Sequence, residues 1–253
     1  MNDPVMAIDM HDRLASVGLR YRLFSGGDLV ESTLARVVAA DLATVGPVRE
    51  FRWYKGRRFY SGWYWSSTTG GLVAYESLLE LARILLADFD PDVSGIAAQP
   101  FQMREESARV TRRHVPDLLL SHRDGRVTVV DVKPAGRLAD VKVRAVFGWT
   151  AELLSLRGWD FEVWSGADLV TLANVRFLAG YRRAFTVDTD LCPALLELAD
   201  AQTSVGGIER AAGALGAPHV VRPVLLYLLW SGRLRTELST VLSAASPVWR
   251  AEQ

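Results

Sequence analysis

Four charged side chains stand at spacings that could build a hydrolytic site. In HVPDLLLSHRDGRVTVVDVKP, His114 to Pro134, Asp117 follows Pro116 at the head of one apolar run, and Asp131 and Lys133 close a second. A strand alternates its faces, so Asp131 and Lys133 project to one side while Val130 and Val132 project to the other. VTVV is a buried-strand sequence, and a buried strand tolerates Asp and Lys only when they pair or do work. Upstream, Glu76 and Glu80 lie four apart, on one face of a helix. Two or three carboxylates of this kind suffice for magnesium, a hard cation that prefers oxygen ligands and keeps some of its waters. Such a cation stabilises charge building on a phosphate and lowers the pKa of a bound water. A neighbouring lysine can orient or deprotonate that water, or steady the phosphate. For an isolated D-x-K the simpler account is a salt bridge of Asp131 with Lys133 or Asp117. The ordered string of glutamate-bearing helix, Pro-Asp and D-V-K in an apolar strand favours metal-assisted phosphodiester hydrolysis.

These side chains need elements to hold them. LRYRLFSGGDLVES reads as a hairpin about Gly26-Gly27. From Val73 to Phe89 the spacing turns helical, with Leu78, Leu81, Leu85 and Phe89 on one stripe, and Pro91 disfavours helix at Asp90. Strands are expected at about 95–103, 115–121 and 127–133, the last two joined by a turn containing RDGR. Residues 137–157 read as a helix, WDFEVWSG as a strand and ADLVTLANVRFLAGYRRAF as a helix, followed from Thr189 by short helical pieces. This order is that of an α/β core with flanking modules.

The residues that carry this pattern resemble those of a PD-(D/E)xK nuclease, and more narrowly of the TnsA-like heteromeric transposase endonuclease subunits. The resemblance rests on YWSSTTGGLVAYESLLELARILLADFDPDVSGIAAQPF, on HVPDLLLSHRDGRVTVVDVKP and on LANVRFLAGYRR, and covers roughly residues 50–183. It implies a restriction-endonuclease-like fold, a mixed β-sheet flanked by helices, over 73–185. Around it lie an N-terminal β-rich segment at 1–72 and a C-terminal helical or winged-helix module at 189–253. It implies a magnesium-dependent endonuclease, manganese able to substitute, that cuts the 5′ strand ends of a mobile element. A separate DDE-type transposase subunit would process the 3′ ends, and an ATPase regulator is a further implied partner. By position, Asp117, Asp131 and a helical glutamate would bind metal, with Lys133 beside them. Glu80 is preferred over Glu76 because Ser77 stands three residues before it. Gln99, next to Pro100, either contacts DNA or fixes a turn. The C-terminal module would bind the transposase, the regulator or DNA, or would be a packing module.

Two basic clusters could meet DNA. REFRWYKGRR interleaves Arg49, Arg52, Lys55, Arg57 and Arg58 with Phe51, Trp53 and Tyr54, as suits phosphates and exposed bases, or else is a solvated edge strand. Arg109, Arg112, Arg113 and His114 lead into the Asp117 strand and could deliver a phosphodiester, or form a plain loop. Bulk composition adds little: 253 residues with 29 basic and 29 acidic side chains give zero formal charge, so any basic surface is local. A single cysteine, Cys192, excludes a disulfide framework. The opening MNDPVMAIDMHDRL is acidic where a signal peptide is basic and then apolar, so a cytoplasmic protein is expected. Two alternatives stay open: a stand-alone repair, junction or restriction nuclease, and a catalytically silent assembly subunit.

Overall fold

A computed structural model of the chain describes residues 11–49, 60–106, 111–201 and 203–251. The chain is mixed α/β and forms two compact units: residues up to Ile84 with Asp92–Gly166, and Leu85–Pro91 with the chain from Ala167 onward.

The first unit holds two four-stranded sheets and a separate hairpin. One sheet, in the order β2-β1-β6-β7, is antiparallel, with β1 (Val17–Arg22), β2 (Leu29–Thr33), β6 (Gln102–Glu106) and β7 (Thr111–His114). The expected hairpin is β1–β2. Its alternating pattern turns Val17, Leu19 and Tyr21 inward and Arg20 and Arg22 outward. Between β2 and the next strand lies a short helix, α1 (Ala39–Leu42). The strands β3 (Gly62–Ser66) and β4 (Gly71–Tyr75) form the hairpin that precedes α2 (Leu78–Phe89). The helix therefore begins at Leu78 rather than Val73, because GLVAY pairs with the tryptophan-rich strand before it.

The second sheet has the order β10-β9-β8-β5 and carries the acidic motif. Its members are β5 (Val93–Ala98), β8 (Leu118–His122), β9 (Val127–Val132) and β10 (Asp160–Trp164). β5, β8 and β9 run antiparallel in turn, whereas β10 lies parallel to β9. A parallel neighbour needs a crossover, which α3 (Val141–Arg157) supplies; Asp140 caps its start and Gly158, at φ 76°, ends it. Leu19, Met103, Leu119, Val129, Trp149 and Leu153 belong to one buried cluster, so both sheets and α3 share a core.

The single strand expected at 95–103 is two strands in different sheets. Gln99 breaks it, the only non-glycine residue with positive φ (45°) among the described residues, immediately before Pro100. Its N–H still reaches the Asp117 carbonyl at 2.8 Å, and its own carbonyl accepts from Val48 N–H at 3.0 Å.

The second unit contains α4 (Leu169–Leu178), α5 (Cys192–Ala201), α6 (Val205–Ala211), α7 (Pro218–Trp230) and the hairpin β11 (Leu234–Thr236) with β12 (Val248–Arg250). A further bridge pairs Ser204 with Pro247. Buried Asn174 of α4 donates to Leu238 O (2.9 Å) and Thr240 O (2.7 Å) and accepts from Leu242 N–H (3.1 Å), tying the β11–β12 loop to the helix. Gly206 N–H donates to Ala244 O at 2.8 Å, and a Cβ on Gly206 would sit 3.0 Å from Ala244. Among the described residues, no helix is long and apolar enough to cross a membrane.

Candidate active site

Asp117 stands just before β8, where its backbone is held on both sides. Its N–H donates to Val130 O at 3.1 Å, and its carbonyl accepts from Gln99. Its Oδ2 accepts from Val132 N–H at 2.7 Å, so the chain of β9 grips this carboxylate between the two residues that matter there. Burial is the largest influence on its acidity and pushes its pKa up to about 7. The Val132 amide pulls it down, the charges of Asp131 and Glu80 push it up, and Lys133 pulls it down. The fold thus sets the Asp117 carboxylate against the strand that carries Asp131 and Lys133.

Asp131 is 2% exposed in β9, and its Oδ2 lies 2.7 Å from His114 Nε2. Lys133 follows the strand, half-buried, its N–H donating to Trp164 O at 2.9 Å. Glu80 lies in the first turn of α2. Its carboxylate accepts from Glu76 N–H (2.8 Å) and from the Ser77 hydroxyl (2.9 Å), while Glu80 N–H donates to Ser77 Oγ (3.1 Å). Burial raises the Glu80 pKa, opposed by the Glu76 N–H and the Ser77 hydroxyl; the Glu76 charge adds to the rise and Lys133 reduces it. The Ser77-x-x-Glu80 spacing that favoured Glu80 therefore has a second physical cause, since it is the spacing of a helix-capping box. One turn later, Arg83 makes a two-pronged bond to Glu162 of β10, at 3.2 and 2.7 Å, which fixes the start of α2 against the sheet. Nothing in the sequence around Arg83 marks that pairing.

The remaining candidates separate. Arg112 lies opposite Glu105 on β6 and approaches it at 3.7 Å, whereas Arg113 lies opposite Arg104. Successive residues of β7 face opposite ways, so the two arginines do not form one patch. Gln99 is 3% exposed and its Oε1 is buried with no hydrogen-bond partner, so the turn at the end of β5 is its visible role. Arg109 lies outside the described residues, as does REFRWYKGRR apart from Arg49. His114, which the sequence places with the arginines leading into the Asp117 strand, is turned toward Asp131.

Among the described residues, no group of three or more His, Cys, Asp or Glu side chains is arranged to hold a metal ion. Each carboxylate is turned toward a protein group: Asp117 to the Val132 amide, Asp131 to His114, and Glu80 to its own helix cap. In kind, however, the donor set fits a hard cation. All three are oxygen ligands with lone pairs to spare, and Asp117 is a buried carboxylate whose ionised form an added positive charge would favour. No family model matches the chain, and no curated protein matches it.

Proposed function

We propose that this chain is a metal-dependent DNA endonuclease, the subunit of a heteromeric transposase that hydrolyses the 5′ strand ends of a mobile element. The observation that carries this reading is the grip of β9 on Asp117, whose Oδ2 accepts from the Val132 N–H at 2.7 Å, between Asp131 and Lys133 on the paired strand. The strand order supports it. A mixed sheet in which β8 and β9 bring Pro-Asp and D-x-K side by side, with a glutamate-bearing helix before them, is the layout expected of a restriction-endonuclease-like core. The order α5, α6, α7, β11, β12, with the added Ser204 bridge, is that of a winged helix, in keeping with a C-terminal module that binds DNA or a partner subunit.

In this reading Asp117, Asp131 and Glu80 hold the magnesium or manganese ion, Glu80 being chosen over Glu76 because its charge acts on Asp117. When bound, the ion would stabilise charge on the scissile phosphate and acidify a water. Lys133 orients that water and steadies the phosphate with a compact positive charge.

The test is magnesium-dependent nicking of DNA bearing the element's ends, with and without the adjacent transposase subunit. Asp131→Ala and Lys133→Ala reduce cutting to background while circular dichroism stays unchanged. Full cutting by either variant refutes the assignment, and robust cutting without any partner points to a stand-alone nuclease. A second reading, a catalytically silent assembly subunit, is favoured by the protein bonds that already occupy all three carboxylates. Isothermal titration of the folded wild type with magnesium or manganese separates the two, because the silent subunit takes up neither ion.

A further inference from the structure

We infer that His114 is a positioning residue for the Asp131 carboxylate, fixing one of its oxygens so that the other is presented to the cation. The inference rests on the nuclease reading above. His114 ends β7, where its backbone is paired with Met103 of β6. Its Nε2 lies 2.7 Å from Asp131 Oδ2. An ionised carboxylate only accepts hydrogen bonds, so the imidazole must carry its hydrogen on Nε2 to bond it. The ring is held from the side by Phe147 of α3 (centroids 6.4 Å apart, 65° between planes), and Phe147 packs edge-on against Phe161 of β10 at 5.9 Å. A contact chain Phe161–Phe147–His114–Asp131 therefore runs from the neighbouring strand through the crossover helix to the carboxylate.

This arrangement does more than satisfy a buried acid. A freely rotating hydroxyl would have met the need for a donor, but would not fix direction to the same degree. Here a ring packed against Phe147, which is itself packed against Phe161, commits Oδ2 and leaves Oδ1 for another ligand. Metal-binding carboxylates are commonly held this way, and loss of such a partner weakens metal affinity without removing a ligand. The three sequence positions from His114 to Asp117 also have a purpose here: one backbone segment delivers a metal-site carboxylate and the side chain that orients another.

The experiment is manganese binding to the full-length chain, followed by the paramagnetic resonance of free Mn²⁺, for the wild type and for His114→Ala, His114→Gln, His114→Phe and Asp131→Ala. His114→Ala and His114→Phe are expected to weaken binding about tenfold or more, whereas His114→Gln, whose amide nitrogen reaches as far as Nε2, recovers most of the affinity. His114→Phe preserves the aromatic packing, so the comparison stands even if His114→Ala folds poorly. In cleavage assays the donor-less variants need more magnesium for half-maximal rate but reach nearly the wild-type rate at saturation, a split that a merely structural role would not give. Wild-type affinity in a folded His114→Phe protein, alongside lost binding in Asp131→Ala, overturns the role of His114 and leaves the nuclease reading standing. A folded wild type that binds no manganese overturns both.

Discussion

Asp117 shows how a single residue can set a pH dependence. Its folded pKa, about 7, lies above the usual carboxylate range because burial disfavours the charged form. Folding therefore holds a proton that the unfolded chain releases, and stability falls as pH rises from the ordinary carboxylate range through about 7, then levels off. Asp117→Asn, whose amide oxygen still accepts from Val132 N–H, removes that loss. In chelator at pH 8 the variant is expected to melt above wild type, and the gap should close toward pH 4–5. An unchanged gap across that range would show that Asp117 titrates like an exposed acid. Added magnesium should raise the wild-type melting temperature at pH 8 and leave Asp117→Asn nearly unmoved, since binding to the folded state stabilises it.

At the scale of the element, α2 depends on its first turn. Ser77 accepts from Glu80 N–H and donates to the Glu80 carboxylate, so Ser77→Ala removes both bonds. The expected cost is about 1 kcal/mol, read as a lower denaturant midpoint at unchanged slope. Threonine at the same position should recover most of it. The cap also explains why sequence spacing alone could not decide the role of this glutamate: the same Ser-x-x-Glu pattern serves helix geometry and carboxylate placement at once. In the second unit the β11–β12 loop hangs on Asn174. Asn174→Ala strands two carbonyls and one amide and should cost about 2 kcal/mol or more. Limited proteolysis should then cut first within residues 237–247, and an unchanged digestion pattern would argue that the loop is held by other contacts.

For the whole molecule, zero formal charge means that no net field draws it to DNA. Nonspecific binding of a random duplex by the isolated chain is expected to be no tighter than about the micromolar range at physiological salt, with a shallow salt slope, as fluorescence anisotropy would measure. Nanomolar binding with a steep slope would show that local basic surface outweighs the balance. The hairpin at Gly26-Gly27, the presence of α2 and the strand on either side of RDGR were legible in the sequence, because turn chemistry and periodicity act over a few neighbouring residues. The buried face of α2 was not, since Leu78 is 56% exposed whereas Ala82, Ile84 and Leu85 are buried. The residue types of the proposed site, a helical glutamate, a Pro-linked aspartate and D-x-K, stand in that order in the sequence itself. Only the tertiary structure decided that β1 and β2 share a sheet with β6 and β7, and that Gln99 ends one strand and turns the chain into another sheet. It alone paired Arg83 with Glu162 and His114 with Asp131, residues 79 and 17 positions apart. Those outcomes, like the weakened acidity of Asp117, depend on distance through space and on exclusion of water, which the folded chain sets and local sequence does not encode.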